Sequence, residues 1–88
     1  MSWKIEVKPT AEKYYLKLDK KTRTRVKEAL RELEKTDNPL LRPNVRALTG
    51  KLRGDFRLRV GKYRILFTPH IQKKILYVFA TVPRGDAH

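Results

Sequence analysis

Apolar and charged residues alternate from Trp3 to Lys8, with Trp3, Ile5 and Val7 set against Lys4, Glu6 and Lys8. That period of two predicts a first strand. Pro9-Thr10 is read as its end, with Thr10 placed to cap a short amphipathic helix over 11–18, whose apolar side is Ala11, Tyr14, Tyr15 and Leu18. Asp19 is a second N-cap. Thr22, Val26, Ala29, Leu30 and Leu33 then recur at helical spacing and predict a longer helix over 20–35. Asp37-Asn38-Pro39 stops it, and 36–53 reads as one long connection. Three strands close the chain: about 55–60, 63–68 after a turn at Val60-Gly61-Lys62, and 74–82, with Pro69-His70 ending the middle one. The last run, KILYVFATV, is apolar at successive positions, as in a strand buried on both sides. The order β-α-α-β-β-β predicts an α+β fold of two layers, a helical hairpin packed on one face of a mainly antiparallel sheet.

Alternation in GDFRLRVGKYRILF puts Phe56, Leu58 and Val60 on one face and Arg57 and Arg59 on the other. Charge gives that second face its interest. The chain of 88 residues carries a net charge of +13, and residues 41–64 hold eight basic side chains against Asp55 alone. The longer helix adds a mostly basic face with Arg23, Lys27, Arg31, Glu34 and Lys35, where the like charges of Lys27, Arg31 and Lys35, four residues apart, repel. Such a concentration of positive charge fits a polyanion or an acidic partner; general solubility charge is the plainer reading.

The rest of the composition narrows the chemistry. The chain has no cysteine, which excludes disulfides, cysteine catalysis and cysteine-ligated metals and fits an intracellular protein. No phosphate-cradling glycine loop occurs. His70 and His88 are the only histidines, no acidic cluster has ligand spacing, and neither metal nor cofactor is expected. His70 reads as a solvated turn residue. With no targeting segment and no apolar stretch near the roughly 20 residues needed to span a bilayer, the chain is expected to be one soluble, cytoplasmic domain over 1–88 with no membrane partner.

Arg57, Arg59 and, across the turn, Arg64 are expected to converge, with Arg84 approaching from the end of the last strand. A guanidinium offers five donors in a planar fork that matches phosphate oxygens. Several around one phosphate would neutralise the charge that grows during transfer. Two alternatives stay open: a nucleic-acid surface that binds phosphate without chemistry, and a structural role in which Arg64 pairs with Asp55 or Asp86.

These segments, in this order, resemble the RelE/ParE superfamily of toxin–antitoxin toxins. The resemblance covers nearly the whole chain. Its parts are the first strand, the helical hairpin AEKYYLKLDKKTRTRVKEALREL, the stretch NVRALTGKLRGDFRLRVGKYRILF, an apolar strand and the tail VPRGDAH. The resemblance implies a RelE-like microbial RNase fold and one of two activities. RelE-like members are ribosome-dependent endoribonucleases that cut mRNA in the A site; ParE-like members inhibit DNA gyrase. The charge map favours the RNA branch. Carried over, the pattern puts Arg57 and Arg59 at the family's basic strand positions, and Arg64 at the arginine that holds the scissile phosphate. Arg84 takes the place of the basic residue after the last strand. His88 replaces a tyrosine and is the candidate acid or base, because arginine stays protonated far above neutral pH and is a poor base. Lys51, Arg53, Arg46, Lys62 and the basic helix face would contact RNA. The implied partners are the ribosome with its mRNA, a cognate antitoxin, and operator DNA bound by the toxin–antitoxin complex.

Overall fold

The structure is a computed structural model that describes residues 3–83. Strand β1 (Lys4–Val7) is followed by helices α1 (Pro9–Leu16) and α2 (Lys20–Lys35). Strand β2 (Val45–Ala47) lies in the long connection, and β3 (Phe56–Val60), β4 (Tyr63–His70) and β5 (Ile75–Pro83) complete the fold. The five strands form one sheet in the order β1-β5-β4-β3-β2. Neighbours are antiparallel except β1, which runs parallel to β5. The two-layer α+β arrangement expected from the sequence is the one observed.

Each helix starts where a local device allows it. Pro9 occupies the first turn of α1, where its missing N–H costs nothing, so the helix begins at the residue expected to stop the strand, and Lys8 rather than Thr10 is the N-cap. Asp19 caps α2 as expected, its carboxylate accepting from the Thr22 N–H at 3.2 Å. The Thr22 hydroxyl, which donates to the same carboxylate, and then this backbone bond hold the Asp19 carboxyl below its ordinary pKa. The Tyr15 hydroxyl donates to the Arg23 carbonyl at 3.2 Å and ties the helices together. The Trp3 indole N–H donates to the Asp37 carbonyl at 3.0 Å, fixing the end of α2 beside β1.

The core lies between this helical layer and one face of the sheet. Val26 and Leu33 of α2 and Ala11 of α1 meet Leu58, Val60, Ile65, Phe67, Leu76 and Val78, all buried. Phe56 stacks on Phe67 with ring centroids 6.0 Å apart. Gly61 turns β3 into β4 at φ +57°, a left-handed conformation that side chains resist.

Three features of the sheet differ from the expectation. The connection over 36–53 contains β2, which pairs with β3 through Val45–Leu58, Arg46–Arg57 and Ala47–Phe56. The β4 strand runs on through Pro69 and His70, which pair with Leu76 and Ile75. Pairing of β4 with β5 slips by one residue, Leu66 facing Ala80 and Phe67 facing Val78. Phe79 is the extra residue, a β-bulge that reverses the alternation beyond it. Thr81 is therefore buried on the covered face, opposite Ile65, while Val82 lies opposite Arg64.

Candidate functional site

The other face of the sheet carries the arginines. Arg57 and Arg59 project from it because their β3 neighbours Leu58 and Val60 are buried beneath the helices. Register places Arg64 directly opposite Arg59 and Arg46 directly opposite Arg57. Three adjacent strands thus present four arginines as two opposed pairs. Directly opposite positions bring Cβ atoms to roughly 4.5–5.5 Å, where like charges repel. A phosphate between them would convert that repulsion into charge-assisted hydrogen bonding. Arg46 and Arg59 are exposed, while Arg57 and Arg64 are partly buried. The Arg64 Nε is buried with no hydrogen-bond partner.

Asp55 does not serve as the counter-ion suggested for Arg64. Its carboxylate accepts from the Thr68 hydroxyl at 2.7 Å, across the β3–β4 pair. Lys51 belongs to a single turn over Gly50–Leu52 and Arg53 follows it, both exposed on the β2–β3 connection rather than on the sheet. Lys62 is exposed at the β3–β4 turn, where it lines a concavity with Lys21 and Arg25 of α2. The predicted residues therefore divide: Arg46, Arg57, Arg59 and Arg64 share one face, and Lys51, Arg53 and Lys62 lie on its surrounding loops. Arg84, Asp86 and His88 lie outside the described residues. His70 lies six residues along β4 from Arg64, roughly 20 Å away at strand rise. Its Nδ1 accepts from the Lys73 N–H at 3.2 Å, but it is the half-buried last residue of β4, paired with Ile75, rather than the solvated turn residue expected.

Two features escaped the sequence reading. On the arginine face, Asp55, Thr68, Tyr77, Phe79 and Lys8 line a concavity of about 260 Å³. The only signal for it was Asp55, the sole acid in a basic stretch. On the helical side, a groove of about 470 Å³ between α1, α2 and β1 is lined by apolar residues such as Val7, Leu16 and Leu30. It is larger, and its lining includes Lys27 and Arg31 of the basic helix face but none of the sheet arginines, so the chemistry of the arginine face is the better guide to a phosphate ligand. Among the described residues, no His, Cys, Asp or Glu cluster could hold a metal ion, and no helix is long and apolar enough to cross a membrane.

Comparison with known proteins places the whole assembly. The sequence profile described as ParE toxin of type II toxin–antitoxin system, parDE, matches residues 5–87. No curated protein sequence matches the chain at a significant level. Among solved structures, it is similar to the toxin of an archaeal RelE–RelB complex from Pyrococcus horikoshii OT3, at 26% identity and a TM-score of 0.80, covering 99% of this chain and 100% of that one. A mutant E. coli RelE toxin in the free state superposes with a TM-score of 0.78 at 19% identity, covering 99% of this chain and 88% of that one. The YoeB/ParE toxin from Agrobacterium tumefaciens gives 0.74 at 15% identity, with 91% and 96% covered. The helical hairpin, the five-stranded sheet and the profile match along nearly the full chain agree, and the protein belongs to the ParE toxin family, within the RelE/ParE superfamily of type II toxins.

Proposed function

We propose that this toxin is a ribosome-dependent endoribonuclease whose open sheet face holds the scissile phosphate of mRNA. The observation that carries the reading is the pair of opposed arginine couples, Arg46–Arg57 and Arg59–Arg64, on the face of the sheet opposite the helices. The reaction is attack by a ribose 2′-hydroxyl on the adjacent phosphate. The O2′–P bond forms and the P–O5′ bond breaks, leaving a cyclic phosphate and a 5′-hydroxyl. The hydroxyl proton passes to a base, and an acid supplies one to the departing 5′-oxygen. Arg57, Arg59 and Arg64 would stabilise the charge on the non-bridging oxygens, with Arg84 beside them. His88 takes the acid or base role. Ribosomal positioning of the mRNA would lower the barrier further by aligning nucleophile and leaving group. Lys51, Arg53, Lys62 and the α2 basic face would contact rRNA. A cognate antitoxin neutralises the toxin, as suggested by the archaeal relative's being seen with RelB. The pair would act in the cytoplasm and bind operator DNA.

A second reading is favoured by the matched profile, which is described as ParE. In it the same basic surface would bind DNA gyrase and no RNA would be cut. Inducing the wild type and Arg64→Ala without antitoxin, and mapping mRNA 5′ ends with and without ribosomes, separates the two. Ribosome-dependent cuts that vanish with Arg64→Ala are expected. Growth arrest with DNA breaks and intact mRNA would transfer the protein to the gyrase branch.

A further inference from the structure

We infer that the concavity beside the arginines is a nucleobase subsite that selects bases carrying an amino group and disfavours uracil. The inference rests on the RNA-phosphate reading of the arginine face. Register sets its position. Asp55, just before β3, is hydrogen-bonded to Thr68, Thr68 faces Tyr77, and two residues beyond Asp55 on the same face is Arg57. Same-face neighbours on a strand lie about 7 Å apart, on the scale of one nucleotide from phosphate to base. A phosphate held at Arg57 therefore brings an attached base over Asp55.

The walls suit a base. Tyr77 and Phe79 are half-buried and both line the concavity, and an aromatic ring is a surface on which any base can stack. Phe79 is the bulged residue of β5, a position at which strands re-aim side chains. Lys8 also lines the concavity and offers a cation to a flanking phosphate. The volume, about 260 Å³, holds one base rather than a stack.

Asp55 supplies the selectivity. One of its oxygens accepts from Thr68, which fixes the carboxylate in place and leaves acceptor capacity on the group. An ionised carboxylate only accepts. Cytosine N4, adenine N6 and guanine N1 and N2 can donate to it. Uracil offers a single N–H between two carbonyl oxygens, which the carboxylate repels.

The test is binding of labelled oligocytidylate and oligouridylate of equal length, followed by fluorescence anisotropy, to wild type, Asp55→Asn, Phe79→Leu and Arg64→Ala. Asparagine keeps an acceptor for Thr68 and adds a donor for a uracil carbonyl. The wild type is expected to favour cytidine by about tenfold, Asp55→Asn to bring the ratio close to one, and Phe79→Leu to weaken both ligands. Thermal unfolding confirms that each variant is folded. Arginine-dependent binding with no base preference, or with a preference that survives Asp55→Asn, overturns the subsite and leaves the phosphate reading standing. Binding that is absent, or indifferent to Arg64→Ala, overturns both.

Discussion

The two faces of the sheet are built from alternate residues of the same strands and obey opposite rules. On the covered face, Leu58, Ile65, Phe67 and Leu76 are fully buried against α1 and α2, and close packing decides every position. On the other face, the residues interleaved with them include Arg57, Arg59 and Arg64, each opposite another arginine. Like charges in opposed positions weaken a sheet, so their collection on one face points to binding rather than stability.

The largest effect should come from the covered face. Phe67→Ala removes a fully buried ring stacked on Phe56 and is expected to cost about 3–5 kcal/mol in urea unfolding. A loss below about 1 kcal/mol would mean that the core is not organised around this strand pair. Next is the polar tie between β3 and β4. Thr68→Val removes the hydroxyl that donates to Asp55, at an expected cost of about 1 kcal/mol, measurable in the same titration. Arg59→Thr should reverse the sign. It relieves the repulsion from Arg64 and places a good strand former on an exposed position, so stability should rise by up to about 1 kcal/mol while RNA affinity falls. A clear loss of stability would show that the guanidinium supports the fold, and would blur the contrast between the faces.

The smallest effect lies away from the sheet. The α2 cap lowers the Asp19 pKa, so its ionised form favours the folded state. That contribution is complete above the ordinary aspartate range, near pH 4, and is lost as pH falls through the lower folded-state value. The stability difference between wild type and Asp19→Asn should therefore change only on the acid side of that range. A difference that varies between pH 6 and 8 would place its origin elsewhere.

Most of this contrast was readable before the fold was known. The α2 helix announced itself through Asp19 and the spacing of Val26, Ala29, Leu30 and Leu33, and it forms over the expected residues. Alternation through Phe56–Val60 separated core from arginines correctly, because one face is fully covered and register is then strongly specified. Weaker signals failed for identifiable reasons. Strand β2 is three residues long with only Val45 buried, too short for a period to emerge. Pro9 has two opposite meanings, strand end and first helical residue, and the α1 start depended on the second. The bulge at Phe79 sits within an apolar run, where no alternation marks a change of face. The pairing of Arg46 with Arg57 depends on β2, and the Asp55 concavity on the register of three strands, so neither was visible in spacing along the chain.

The most direct test of the arginine face is the salt dependence of single-stranded RNA binding by the wild type and by the Arg59→Ala/Arg64→Ala double variant. For single strands the logarithm of the binding constant falls with the logarithm of salt concentration by about 0.7 for each phosphate neutralised. The double variant should bind more weakly with a slope shallower by about 0.7–1.4, corresponding to one or two lost phosphate contacts. An unchanged slope and affinity would contradict the account, because the opposed arginines would then not be where the RNA backbone lies.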